Sequence, residues 1–253
     1  MRHFLTILSH EIRSLLFSAS TYIAAVLFLL VMAFVFAGLL EDYTKAPQET
    51  APAVVFFRLF WLPVWFMVPL LTMRSLAEER RLGTLETLLT TPVSTAEVVL
   101  GKFGASYLLY LLMWSSTLGF HYVLHHYARD PRLLDPGPLV GGYLFIAVSG
   151  LLYVAVGIFA SSLTRSQAVA GIVCWILLIA LTIGLNYLSS SSALNYEILR
   201  PAKVAIDSLQ VFQHLDDFTH GVIDTRQIIF YVSGSALALI FSMLGVEAKL
   251  LQG

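Results

Sequence analysis

The sequence predicts an all-α integral membrane protein of six transmembrane helices, preceded by an N-terminal amphipathic helix at the membrane interface. Three observations lead there. Of 253 residues, 58% are hydrophobic and only 12% charged, with a mean hydropathy of +0.80. A soluble domain is about a quarter charged, and charge this sparse does not cover a water-facing surface. Second, six apolar stretches approach the ~20 residues that a helix needs to cross the hydrocarbon core. Third, short polar segments rich in proline, serine and charge separate them.

The first twenty residues form their own element. On a helical wheel Phe4, Leu5, Leu8, Ile12, Leu15 and Leu16 share an arc, with Thr6, His10, Arg13 and Ser14 opposite and Ile7 as the exception. That pattern predicts an interfacial helix over 1–19. The apolar run that follows, Ser20 to Leu40, is longer than a signal-peptide core and lacks a small-residue cleavage site, so it reads as a retained anchor. The spans are expected at about 20–40, 53–73, 101–124, 139–160, 168–188 and 228–246. Pro63 and Pro69 predict kinks in the second, while Arg58 near its end snorkels to the interface. Residues 41–52 and 125–138 read as polar turns, the latter broken by three prolines, and 161–167 as a short connection. The segment 189–227 is long enough for a small extramembrane structure. In it Pro201 opens a helix whose apolar spacing, Ala205, Leu209 and Phe212, runs to about Leu215. Gly150, Gly157, Gly171 and the pair Gly234/Ala238 provide close helix packing.

Residues 74–102, RSLAEERRLGTLETLLTTPVSTAEVVLGK, are the least generic stretch. The charged run 74–81 extends the second span helically into water, and Gly83 permits a break. Thr84 caps a short helix in which Leu85, Leu88 and Leu89 share a face, and Pro92 ends it. Ser94 and Glu97 have the spacing of a capping box that starts the third span. A short amphipathic helix held between two spans is suited to transmitting a push. Its leucines would fill a groove on a partner, with Glu78, Glu79 and Glu86 supplying polar contacts. An ordinary solvated loop is the plainer reading of the same residues.

The run A-E-E-R-R-x-G-T-L-E-x-L-L-x-x-P-V-S resembles the cytoplasmic loop of ABC-2 type permeases, more narrowly those of gliding motility and of nitrous-oxide reductase maturation. Phe218 to Val232, FTHGVIDTRQIIFYV, resembles the lead into their last span, and EIRSLLFSASTY their interfacial elbow helix. The resemblance implies one transmembrane permease domain over 1–253, of the ABC-2, type V exporter-like architecture. It implies a coupling helix at Gly83 to Thr90 docking on a separate ATPase. The ATPase-coupling residues are then Glu78, Glu79, Arg80, Arg81, Gly83, Thr84, Leu85, Glu86, Leu88, Leu89 and Pro92. It also implies a bacterial inner-membrane location with both termini cytoplasmic. Counting arginine and lysine on the two sides leaves orientation open, at eight against seven.

Net charge is −1, so no basic bulk suits nucleic acid. The single cysteine, Cys174, forms neither an intramolecular disulfide nor a cysteine-based zinc cluster. The sequence has no G-x-x-x-x-G-K-[ST] phosphate loop. The expectation is therefore a permease that is not itself an enzyme and carries no cofactor, with ATP and Mg held by the partner ATPase. The expected assembly is two ATPase subunits with a second permease copy or a homologous permease. The segment 189–227 meets a periplasmic partner or caps the outer mouth. Phe57, Trp61 and Trp65 are candidates for a pathway or dimer seam. His121 and His125, one helical turn apart beside His126, are a candidate metal pair without an evident third ligand; tyrosines beside them equally fit an interfacial belt. The readings that compete with an ATP-driven permease are an unenergised scaffold or channel and a membrane metalloprotein.

Overall fold

The computed structural model describes residues 2–45, 50–84, 93–127, 135–190 and 207–250, with no strand among the described residues. In chain order the helices are α1 (Arg2–Leu16), α2 (Ala19–Lys45), α3 (Pro52–Arg58), α4 (Trp61–Thr72), α5 (Ala77–Leu82), α6 (Thr95–Ser116), α7 (Leu118–Tyr127) and α8 (Pro136–Leu163). They continue with α9 (Gln167–Ile179), a π-helical segment (Ala180–Gly184), α10 (Leu185–Ser189), α11 (Val211–Thr219) and α12 (Thr225–Leu250). Five helices are long and apolar enough to cross a membrane: Ala19–Lys45, Thr95–Tyr127, Pro136–Leu163, Gln167–Ser189 and Thr225–Ala248. A sixth candidate is a pair, Pro52–Arg58 and Trp61–Leu82, bent by 48°.

Helix α8 is the axis of the bundle. It is 72% buried over its apolar window, against 22–28% for α2, α9–α10 and α12, so those three present most of their surface outward. Close approach is made possible by glycines along α8. A Cβ at Gly150 would overlap the Tyr110 ring, and one at Gly157 would overlap Thr72. Both are the packing positions expected from sequence. Gly171 has no such crowding, its nearest neighbour being Met73 Sδ at 3.6 Å from an added Cβ.

The second span does not kink at its prolines. The break falls at Leu59–Phe60, four residues before Pro63. The cause is still Pro63, which lacks the N–H that would bond the Leu59 carbonyl. That carbonyl instead accepts from Leu62 N–H at 3.2 Å, a tightened turn that re-aims the chain. Pro63 itself sits harmlessly in the first turn of α4, and Pro69 lies inside it. The charged run also differs from a straight helical extension, since residues 73–76 form a turn before α5. There the Ser161 hydroxyl of α8 accepts from the backbone N–H groups of Leu76 and Ala77, both at 3.0 Å, and donates to the Met73 carbonyl at 3.2 Å. A side chain of another helix thus completes the backbone that the turn leaves open.

Other boundaries shift for local reasons. Helix α2 runs on through the expected turn to Lys45, whose ammonium pairs with Glu41 one turn earlier. Helix α7 continues to Tyr127, and Pro136 begins α8 rather than breaking a loop, because proline is tolerated in the first turn. Asp135 caps that start by accepting from Gly137 N–H at 2.9 Å. The expected helix from Pro201 is only partly testable, as 191–206 lie outside the described residues. Leu209 lies in a turn, and the helix that forms, α11, starts at Val211 and ends at Thr219.

Candidate functional site: a charged junction at one end of the bundle

The run Glu78-Glu79-Arg80-Arg81 lies on α5, and three of its four side chains turn into the bundle. Glu79 Oε1 lies 2.7 Å from Lys102 Nζ, and the same ammonium lies 3.1 Å from Glu11 Oε2. Lys102 is the most enclosed charge of the three, with 4% of its side chain exposed. A lone buried ammonium is prohibitively costly, and two carboxylates offset the desolvation. The node therefore joins α1, α5 and α6 through one cation.

Arg80 reaches further. Its guanidinium donates to the Ser162 carbonyl, at the end of α8, and to the Gly245 carbonyl of α12 at 2.8 Å. A cation over the last turn of a helix also complements the helix dipole. Glu78 forms a two-pronged pair with Arg74, at 2.7 Å to Nε and 3.0 Å to Nη2, and Arg74 Nη1 donates to Ser18 Oγ at 2.8 Å. Ser18 stands in the link between α1 and α2. Arg81 faces outward, 57% exposed, 3.8 Å from Glu78.

Gly83 closes α5 with φ +71°, the left-handed conformation that glycine adopts without penalty. The Thr84 hydroxyl donates to the Glu79 carbonyl at 3.3 Å. Leu85, Glu86, Leu88, Leu89 and Pro92 lie outside the described residues. Past them, the capping box is present as expected: Ser94 Oγ accepts from Glu97 N–H at 3.2 Å, while Glu97 Oε2 accepts from Ser94 N–H at 3.2 Å. Before 85–92, α5 is thus fixed to the bundle by ion pairs, and after it α6 opens with its own cap.

Sequence reasoning missed the partners Glu11, Arg74 and Lys102. The signal for Glu11 was legible: spaced three from Leu8 and four from Leu15, it stands on the apolar arc of α1. The buried face is Phe4, Ile7, Leu8, Glu11, Ile12 and Leu15, which corrects the arc by replacing Leu5 and Leu16. Leu5 is 61% exposed, and Ile7, the expected exception, packs against Gly101.

The other candidates separate. Phe57 is fully buried, between Tyr143, His121 and Trp114, and so belongs to the core rather than to a surface seam. Trp61 and Trp65 are partly exposed and in contact. Trp65 Nε1 donates to Thr182 Oγ1 of the π segment at 3.1 Å, and Trp175 of α9 stands edge-on to it. His121 is wedged among Phe56, Phe57 and Tyr143, its Nδ1 3.2 Å from the Thr117 carbonyl, whereas His125 and His126 are exposed. Among the described residues no group of three or more histidine, cysteine or acidic side chains converges.

At the opposite end α11 lies on α8 and α3. A Cβ at Gly141 would overlap the Phe218 carbonyl, so backbone meets backbone there. His214, buried in α11, has its Nε2 3.2 Å from the Ser208 carbonyl and its Nδ1 3.0 Å from the Tyr231 hydroxyl. The carbonyl only accepts, so Nε2 carries the proton and Nδ1 accepts from tyrosine. Burial holds the imidazole below its ordinary pKa, against the opposing pull of the Ser208 carbonyl and of Asp217 and Asp224. Gln227 donates to Asp217 at 2.6 Å, and Arg58 pairs with Asp216 at 3.3 Å on the surface.

Comparison with curated proteins found no match. The family described as ABC-2 family transporter protein matches residues 40–250, well over half of the chain. Permeases of that family are typically non-catalytic membrane subunits that work with ABC ATPases and as dimers. With its apolar helices and this match, the chain is a multi-pass membrane protein and belongs to the ABC-2 family of transporter permeases.

Proposed function

We propose that this chain is the membrane half of an ATP-driven machine that exports cargo or delivers force across the bacterial inner membrane, with both termini cytoplasmic. Two copies, or one copy and a homologous permease, combine with two ATPase subunits that hold ATP and Mg. The narrower kinship is with permeases of gliding motility and nitrous-oxide reductase maturation. The observation that carries the reading is the charged junction. Residues 85–92 follow α5 by way of Gly83 and Thr84, and α5 is tied to α1, α6, α8 and α12 by Glu79, Lys102 and Arg80. A push on the loop therefore reaches four other helices at once, as a power stroke from a docked ATPase requires. Glu86 and the leucines of the loop make the docking contact, and α1 lies at the cytoplasmic interface with Leu5, Leu16 and Phe17 in lipid. At the far end α11 closes the outer mouth.

The test separates docking from transmission. The tagged chain is extracted gently from native membranes, and co-purifying proteins are identified. A P-loop ATPase recovered in equal amount is expected. Glu86→Ala reduces that recovery, whereas Arg80→Gln keeps it but loses stimulation of ATP turnover. Absence of any P-loop ATPase beside intact permease overturns the reading. Normal recovery and turnover in both variants overturns the placement of the junction.

A further inference from the structure

His214 of α11 has two sets of partners, and only one of them suits a neutral ring. Inward, its Nε2–H donates to the Ser208 carbonyl and its Nδ1 accepts from the Tyr231 hydroxyl of α12. Tyr231 is fully buried. The seat is otherwise aromatic: Phe230 stands edge-on to the imidazole, and Phe145 and Phe230 stand edge-on to the Tyr231 ring. Outward are two carboxylates whose charges reach the ring, Asp217 and Asp224. Asp217 is half-buried and three residues further along α11, a spacing that puts both side chains on one helix face. The remaining charged groups around α11 are engaged or face water. Asp216 pairs with Arg58 of α3, and Asp207 accepts from Ser189 and Gln210. His220 and Arg226 are exposed. From α8 come only Tyr143 and Tyr153, and from the π segment no ionisable side chain.

Two side-chain hydrogen bonds join α11 to α12 among the described residues: Tyr231 to His214, and Gln227 Nε2 to Asp217 at 2.6 Å. Gln227 is buried and its amide oxygen has no hydrogen-bond partner there, so Asp217 is the one anchor of that side chain. A second proton on His214 makes Nδ1 a donor that faces the Tyr231 donor. The phenol oxygen can accept instead, but its own hydrogen then points into rings, and a cation is left in an apolar seat. Asp217 serves the imidazolium better, and taking that carboxylate displaces Gln227. Both links between the helices are given up in one move. We infer that His214 is a pH-operated latch: neutral, it fastens α11 to α12 through Tyr231; protonated, it turns to Asp217 and releases α12. Burial holds the imidazole below its ordinary pKa, so the latch is closed at neutral pH and opens in mild acid. The inference depends neither on ATP coupling nor on the side of the membrane where α11 lies.

Hydrogen exchange of the full chain in lipid nanodiscs reads the latch. It is followed from about pH 7.5 to about pH 5, a range that stops above ordinary aspartate titration, and each rate is corrected for intrinsic exchange at that pH. Protection of α11 is expected to fall below about pH 6.5, by up to about tenfold per pH unit for one proton, while α5 and α6 keep theirs. His214→Gln abolishes the fall. The deciding variant is Asp217→Asn, whose side-chain oxygen still accepts from Gln227 but which carries no charge for the imidazolium. A latch that turns to Asp217 then opens less in acid, and the fall shrinks several-fold. A buried histidine with no second seat gives the opposite sign. Without Asp217 the protonated ring is worse off in the closed state, and the fall deepens. The inference is overturned if the unchanged protein shows no fall, if the fall survives His214→Gln, or if it fails to shrink in Asp217→Asn.

Discussion

The two ends of the bundle are held by different physics. At the α5 end, Lys102, Glu11, Glu79, Arg80, Arg74 and Glu78 stitch helices together through charge. At the α11 end, closure comes from backbone contact at Gly141, rings around Phe145, and neutral hydrogen bonds of His214, and among the described residues the ion pairs there, Arg58–Asp216 and Lys45–Glu41, lie on the surface. Buried ion pairs hold one geometry well and fail badly when a partner is removed. Apolar and backbone contacts are less sensitive to any one group. Links of the first kind are few, stiff and directional, while contacts of the second kind tolerate small displacements of the groups that make them.

The sharpest way to break the contrast is Lys102→Met. The buried Glu11 and the partly exposed Glu79 then lose their cation, at a cost of up to about 3–5 kcal/mol. Thermal unfolding in detergent, followed by monodispersity, is expected to show the largest loss of any single change. Adding Glu11→Gln and Glu79→Gln returns most of it, because no charge is then stranded. If the single variant is as stable as the parent, the node does not hold the end together.

At the other end, Gly141→Ala forces a methyl against the Phe218 carbonyl. Overpacking of this kind costs about 1–3 kcal/mol, and the loss is expected as faster hydrogen exchange in α11 while α5 keeps its protection. The pH response sharpens the comparison further. His214 has a folded-state pKa below its ordinary value. Above about 6.5 the unfolded imidazole is neutral too, so the contribution of the buried ring is fully present. As pH falls toward the depressed value the unfolded chain takes the proton first, and stability is lost. Hydrogen exchange in α11 should therefore accelerate on acidification, and His214→Gln should flatten that dependence. The smallest effect belongs to Arg58→Ala. Its pair with Asp216 is about half exposed on both sides, and such pairs contribute roughly 0.2–1 kcal/mol before salt screening. A melting shift matching that of Lys102→Met would erase the distinction between the ends.

The features legible in the sequence were those written within a few residues. The apolar runs are helices, Ser94 and Glu97 form their box, and Gly83 is left-handed, because period, caps and backbone preference are local. What escaped was set across the chain. Lys102 meets Glu11 across 91 positions and Arg80 meets Gly245 across 165. The charged run reads as a solvated face by composition, and only packing shows that three of its side chains point inward. The kink near Pro63 was foreseen in cause but not in place, since proline acts on the carbonyl four residues before it. Phe57 illustrates the limit: an aromatic in a span looks alike whether it faces lipid, a partner or the core.

The Ser161 hydroxyl has a consequence for biogenesis. The bend that carries α5 is completed by a residue 85 positions downstream of Leu76. At synthesis rates of 5–20 residues per second, that hydroxyl is made roughly 4–17 s after the backbone it serves. The Gly245 carbonyl that anchors Arg80, 165 positions downstream of it, arrives later still. The α5 end is thus completed only after the residues of α12 that it contacts have been made.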